Sequence, residues 1–121
     1  MKIEKFEDIE SWNEARVLVK EIYRLFANIR DYGFRDQIQR SAISVMSNIA
    51  EGFDRSSNKE FVQFLVIARG SVSEVKSLSY AALDIGYIDK NIFENISEHC
   101  FKLTSLINGF IRYLRNTDGK G

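Results

Sequence analysis

The chain has 121 residues and a mass of 14.0 kDa, which fits one domain able to bury a core without disulfide or metal staples. Its 45% hydrophobic and 28% charged residues exclude a disordered chain, and the balance of 17 Lys+Arg against 17 Asp+Glu argues against a strongly basic nucleic-acid binder or a polybasic membrane protein. The single cysteine, Cys100, excludes an intrachain disulfide framework and a cysteine zinc cluster.

The opening residues alternate in charge (Lys2, Glu4, Lys5, Glu7, Asp8), a pattern wrong for a secretory signal. The longest uncharged stretch, Ser41 to Ala50, is too short to span a bilayer, so a soluble cytoplasmic protein is expected. The first apolar stripe is Trp12, Ala15, Val19, Ile22, Phe26 and Ile29, stepping by three and four residues, with Leu18 and Leu25 widening it. Asp8 suits the cap of this helix and Gly33 a left-handed stop. A second helix is expected from Phe34 to Phe53, with Ile38, Ala42, Val45, Ile49 and Phe53 on one face. Ser57 and Glu60 read as a capping box opening a third helix, in which Phe61, Leu65, Ala68, Val72, Val75 and Ala82 face the core and Gly86 closes the end. Asp89 opens a fourth, with the seam Phe93, Ile96, Cys100, Leu103, Ile107, Phe110 and Leu114.

The links, around Tyr32–Gly33, Asp54–Ser56 and Gly86–Ile88, are short, and short links force neighbouring helices antiparallel. The sequence therefore predicts an all-α protein, an up-down-up-down antiparallel four-helix bundle forming one domain over residues 1–121, with a flexible tail over 116–121. Reversal near Arg55–Ser56 places Ser41 and Ala42 close to Arg69 and Gly70. Small residues on both sides (Ser44 and Ser47 against Gly70, Ser71 and Ser73) are expected to let these backbones approach closely.

Catalysis finds little support. His99 is the only histidine, and Cys100 beside it points about 100° away around the helix, so the two do not form a nucleophile–base pair. A di-iron bundle needs Glu-x-x-His on two helices, whereas Ile96 stands three residues before His99. There is no phosphate-cradling glycine loop and no G-x-S-x-G elbow. No catalytic residue, metal or cofactor is expected. The polar residues beside the apolar seams, Arg40, Asn48, Glu51, Arg69 and Glu74, carry two readings. One is internal pairing of the Arg40–Glu74 or Arg69–Glu51 type, since an unpaired buried charge is costly. The other is contact with a neighbouring subunit or ligand.

The runs at residues 40–53 (RSAISVMSNIAEGF) and 60–74 (EFVQFLVIARGSVSE), with FEDI at 6–9 and LDIGYI at 83–88, resemble the four-helix-bundle 23S rRNA intervening-sequence proteins of bacteria. The resemblance covers residues 6 to about 115. Met46 departs from the pattern, standing where many relatives have proline, and a straighter second helix follows. Such proteins are encoded within insertions in 23S rRNA genes or elsewhere in genomes, and a ribosomal-protein label is sometimes attached to them. They are similar to the accessory protein of diversity-generating retroelements, a pentameric ring that works with a reverse transcriptase and nucleic acid. The resemblance implies a homo-oligomer, a pentamer, that binds RNA, DNA or a protein partner, and it implies no active site.

Two features of the residues bear on that expectation. Apolar residues in excess of the ideal seams (Val17, Leu18, Leu25, Phe34, Ile43, Met46, Phe64 and Ile111) suit a subunit contact. Charge is unevenly placed: acids dominate up to Ala15 and bases dominate from His99 onward, at what should be one end of the bundle. These two groups either neutralise each other or leave a basic stripe of Arg16, Lys20, Arg24, Arg112 and Arg115 for phosphate contacts, with Tyr23 and Tyr113 as stacking faces. The alternative function is a protein-binding scaffold without nucleic-acid affinity.

Overall fold

The computed structural model describes residues 3–117. A 3-10 turn, Phe6–Asp8, leads into α1 (Glu10–Leu25), α2 (Tyr32–Phe53), α3 (Asn58–Ile85) and α4 (Lys90–Asn116), and no strand occurs among the described residues. The helices alternate in direction as an antiparallel bundle. The last four residues of the predicted tail, 118–121, lie outside the described residues; Asn116 still belongs to α4, and Thr117 caps it with its N–H on the Tyr113 carbonyl.

The helix starts show how local chemistry sets boundaries. Ser57 Oγ accepts from the Glu60 N–H at 3.2 Å, and Asp89 Oδ1 accepts from the Ile92 N–H at 2.8 Å, as expected for N-caps. The capping box is only half formed: the Glu60 carboxylate takes the Ser56 hydroxyl at 3.1 Å. Gly86 closes α3 in the left-handed region at φ 93°, a conformation that costs a residue without Cβ least.

Two expectations about α1 are corrected. Asp8 ends the 3-10 turn, and the N-cap of α1 is Ile9, whose side chain has no acceptor to offer. Gly33 does not stop the helix: α1 ends at Leu25, residues 26–31 form the link, and Asp31 caps α2 by accepting from the Phe34 N–H at 3.2 Å. Gly33 therefore lies in the first turn of α2, which starts two residues earlier than expected. The helix then runs unbroken through Met46 to Phe53.

All the seams point inward. Leu18, Ile22, Phe26, Ile38, Ile49, Leu65, Ile96, Leu103 and Ile107 are fully buried. Leu18 and Ile111, counted above as surplus, belong to this core, whereas Val17 and Ile43 are exposed. Aromatic chains close both ends. Phe26, Phe34 and Tyr87 meet at the end holding the α1–α2 and α3–α4 links, with centroids 5.9 and 5.4 Å apart. Phe53, Phe61 and Phe110 meet at the other, with centroids 6.3 and 5.2 Å apart.

The close approach of α2 and α3 lies elsewhere than the small-residue strip suggested. A Cβ on Gly52 would fall 2.6 Å from Phe61 Cδ1 and 2.8 Å from Phe64 Cβ, whereas one on Gly70 meets nothing within 4 Å. Gly70 is exposed, so it gives no contact. Ser44 does oppose Ser71, their hydroxyls 2.9 Å apart, and this register sets Ser41 level with Glu74 rather than with Arg69, about one helical turn from the expected pairing.

Candidate functional site

The polar residues of the two signature runs gather along the α2–α3 seam. Ser44 is the node: its hydroxyl accepts from Ser71 Oγ at 2.9 Å and from Asn48 Nδ2 at 3.0 Å, while Asn48 Nδ2 also reaches the Ser44 carbonyl at 2.8 Å. Ser41, buried, donates to the Gln37 carbonyl at 2.9 Å. Above the node an open cavity of about 500 Å3 is lined by Gly33, Gln37, Arg40, Ser41, Ser44 and Glu74. Asn48 Nδ2 is thus occupied within its own helix.

The expected ion pairs are not among the described ones. Gln37, one turn before Arg40, takes the Glu74 carboxylate at 3.5 Å, leaving Arg40 exposed on the cavity rim. Arg69 is half-buried and donates from Nη1 to Asn108 Oδ1 of α4 at 2.7 Å. Five residues separate Arg69 from Glu74, so they leave α3 about 140° apart, one toward α4 and the other toward α2. Glu51 is exposed on α2 and out of that reach.

The five bases of the expected stripe are all exposed. On α1 they follow each other by four residues, with the Arg16 guanidinium 6.0 Å over the Trp12 ring. On α4, His99 and Lys102 are the residues that reach α1; Arg112 leaves the helix about 80° from Lys102 and about 140° from His99, and Arg115 about 140° and 160° from them. Arg115 instead lines a cavity with Asn58, Lys59, Val62 and Gln63 of α3. Of the α4 pair in the expected stripe, Arg115 turns furthest from the side of the helix that meets α1. Tyr23 and Tyr113 are both exposed, and Tyr113 stacks on Phe110 at 6.2 Å.

A polar cluster joins α1 to α4 around His99, for which the sequence suggested no partner. His99 Nε2 lies 3.0 Å from Glu14 Oε2 and Nδ1 lies 3.2 Å from Glu21 Oε1, while Lys102 Nζ donates to Glu14 Oε1 at 3.1 Å. Burial pushes the Glu14 carboxyl up, but Lys102 and His99 outweigh it and hold it below its ordinary value. This is the neutralisation expected between acidic start and basic end, made by these four residues and not by Arg112 or Arg115. Its signal in the sequence is the seven-residue spacing of Glu14 and Glu21, which puts both on one face of α1. Glu21 turns toward His99 and so away from the Arg16–Lys20–Arg24 line. Cys100, one step further around α4, is buried, and desolvation pushes its thiol up to about 11, so it is protonated at neutral pH.

Among the described residues, no helix is long and apolar enough to cross a membrane. No cluster of three metal-ligating side chains occurs among them either.

The family model described as 23S rRNA-intervening sequence protein matches residues 7–109, most of the chain. The chain belongs to this family. A crystal structure of a protein of unknown function from the S23 ribosomal protein family of Bacteroides thetaiotaomicron shares the fold, with a TM-score of 0.78 at 22% identity over 84% of this chain and 97% of that one. No curated protein matches the sequence. Within the 23S rRNA-intervening sequence protein family, this member joins its two signature runs through the Ser44–Ser71 contact.

Proposed function

We propose that this protein is a non-enzymatic bundle subunit, one domain that self-assembles and acts as a nucleic-acid-associated or adaptor module in the cytoplasm. The observation that carries the reading is the outward line of Arg16, Lys20 and Arg24 on α1, exposed, with Tyr23 exposed beside it. A neutral chain exerts no long-range pull on a polyanion, so contact with phosphate rests on local cations, and assembly multiplies each patch. Arg112 and Arg115 add exposed bases on α4. The rRNA insertion named in the family's description points to RNA; the pentamer and a reverse-transcriptase partner are what the likeness to the retroelement protein implies.

The test is fluorescence anisotropy with a labelled structured RNA and a labelled DNA of the same length. Binding is expected to be low in sequence preference and to fall steeply as salt rises. Joint Arg16→Glu, Lys20→Glu and Arg24→Glu substitution should weaken it at least tenfold with the dichroism spectrum unchanged. Unaltered affinity in that variant rejects the α1 line. Absence of binding at low salt favours the second reading, a protein-binding scaffold, which the exposure of Val17 (53%) and Phe101 (73%) supports.

A further inference from the structure

The start of α1 and the second half of α4 enclose an open cavity of about 350 Å3 whose two walls differ in chemistry. The α4 wall is apolar, with Leu106 and Phe110 half-buried on it. Gly109 shares this wall, and a Cβ built there would meet only Arg112 Nη2, at 3.8 Å. This glycine therefore weakens the helix interior without a packing gain. The α1 wall is polar. Ser11 is 2% exposed, and its hydroxyl is the one buried side-chain polar group among the described residues with no hydrogen-bond partner. Helical side chains lean toward the N-terminus of their helix, which here is the cavity end. A hydroxyl shut off from water and left unpaired is costly. α1 also starts at Ile9 without a side-chain cap, so the amides of Glu10 and Ser11 have no side-chain acceptor either. Asp8 and Glu10, both exposed, complete this wall with their carboxylates.

We infer that this cavity binds a small uncharged molecule with an apolar body and one hydroxyl head, the body on α4 and the head at Ser11. Concave sites with mostly apolar walls and a few convergent polar groups are where small molecules bind. A dry cavity of roughly 150 Å3 holds benzene, so the space here takes a body of about two fused rings. The head must accept a hydrogen bond, because Ser11 and the first amides of α1 offer protons that no side chain receives. An ammonium group only donates, so it leaves them unpaired. The head must also be uncharged. A helix start draws an anion, but Asp8 and Glu10 on the same wall repel one. A hydroxyl meets both demands: its oxygen accepts from Ser11, and its own proton goes to a carboxylate of Asp8 or Glu10. A body of the same size without that head leaves Ser11 as unpaired as before, and sites of this kind reject such an analogue.

The experiment is equilibrium dialysis of the full chain at pH 7 against three probes that share one body: 2-naphthol, naphthalene and 2-naphthoate. Binding of 2-naphthol should saturate at one probe per chain. Naphthalene, which lacks the head, and 2-naphthoate, which carries a charge, should each bind about tenfold more weakly. Gly109→Leu puts a side chain into the cavity and should abolish binding of all three, with the dichroism spectrum unchanged. Ser11→Ala should weaken 2-naphthol to the level of naphthalene and leave naphthalene itself unaffected, a split that a purely structural role for Ser11 does not produce. No saturable binding of 2-naphthol overturns the inference, as does equal binding of the three probes. A folded Gly109→Leu chain that binds like the parent places the probe elsewhere and overturns it too. Equal weakening of 2-naphthol and naphthalene by Ser11→Ala overturns the assignment of the head.

Discussion

His99 of α4 and Glu14 of α1 are joined at 3.0 Å, and the other ring nitrogen of His99 faces Glu21 at 3.2 Å. A ring protonated on both nitrogens donates to both carboxylates, whereas a neutral ring donates to only one. The cluster ties α1 to α4, across sequence separations of 78 and 85 residues.

The pH dependence follows from Glu14. Its folded-state pKa lies below the unfolded value, so the folded state binds fewer protons at this group and gains stability above that value. The contribution is present above about pH 4.5 and is lost as pH falls through the lower, folded value. Thermal melts from pH 7 to pH 3 should show a smaller acid-induced drop for Glu14→Gln than for the parent. An equal drop in both would mean that Glu14 is not the group lost.

The two glycines of the α2–α3 region should respond in opposite directions. Gly52→Ala gains helix propensity of about 1 kcal/mol, but its methyl collides with Phe61 and the rigid Phe64 Cβ, and overpacking of this kind costs about 1–3 kcal/mol. Gly70→Ala meets nothing and should stabilise by about 0.5–1 kcal/mol. Urea denaturation of both variants measures the contrast; a more stable Gly52→Ala would refute the close-contact account.

Arg69 and Glu51 should separate in the same way. Arg69→Ala removes a bond to Asn108 in a half-buried position and should cost about 1–3 kcal/mol. Glu51→Ala, at an exposed site, should stay within about 0.5 kcal/mol. A large loss at Glu51 would point to the ion pair that the sequence suggested.

Cys100 offers a probe of opening. With its thiol buried and pushed up to about 11, a thiol reagent at pH 8 should leave the native protein unlabelled and label it completely in denaturant. Rapid labelling of the native form would show that the α4 seam is not closed.

Which parts of this architecture are legible in sequence depends on how local the deciding interaction is. Ser57, Gly86 and Asp89 act within a turn of their own position, and each does in the structure what its residue type suggests. The apolar stripes likewise fix which face of each helix is covered. The first link is harder, because Asp31 and Gly33 stand two residues apart and offer competing punctuation, a start and a stop. The start prevails: Asp31 caps α2 with one oxygen and accepts from the Tyr87 hydroxyl at 2.8 Å with the other, a partner 56 residues away. The polar partners are harder still. Whether Arg69 meets Glu51 or Asn108 turns on which flank of α3 it leaves, and whether five exposed bases make one surface turns on the azimuth of α4. Both are matters of rotation between helices, which the spacing along a single helix does not encode.

The bare start of α1 has a dynamic consequence. The other three helices each begin with a side-chain oxygen holding a first-turn N–H: Asp31, Ser57 and Asp89. Ile9 holds none, and Asn13, the nearest amide, spends its donors on the carbonyls of Glu7 and Ile9, leaving the first amide hydrogens of α1 without a side-chain acceptor. Opening free energy is therefore lowest at that turn, and deuterium uptake should begin there, spreading along α1 toward Glu14 before the starts of the other helices exchange.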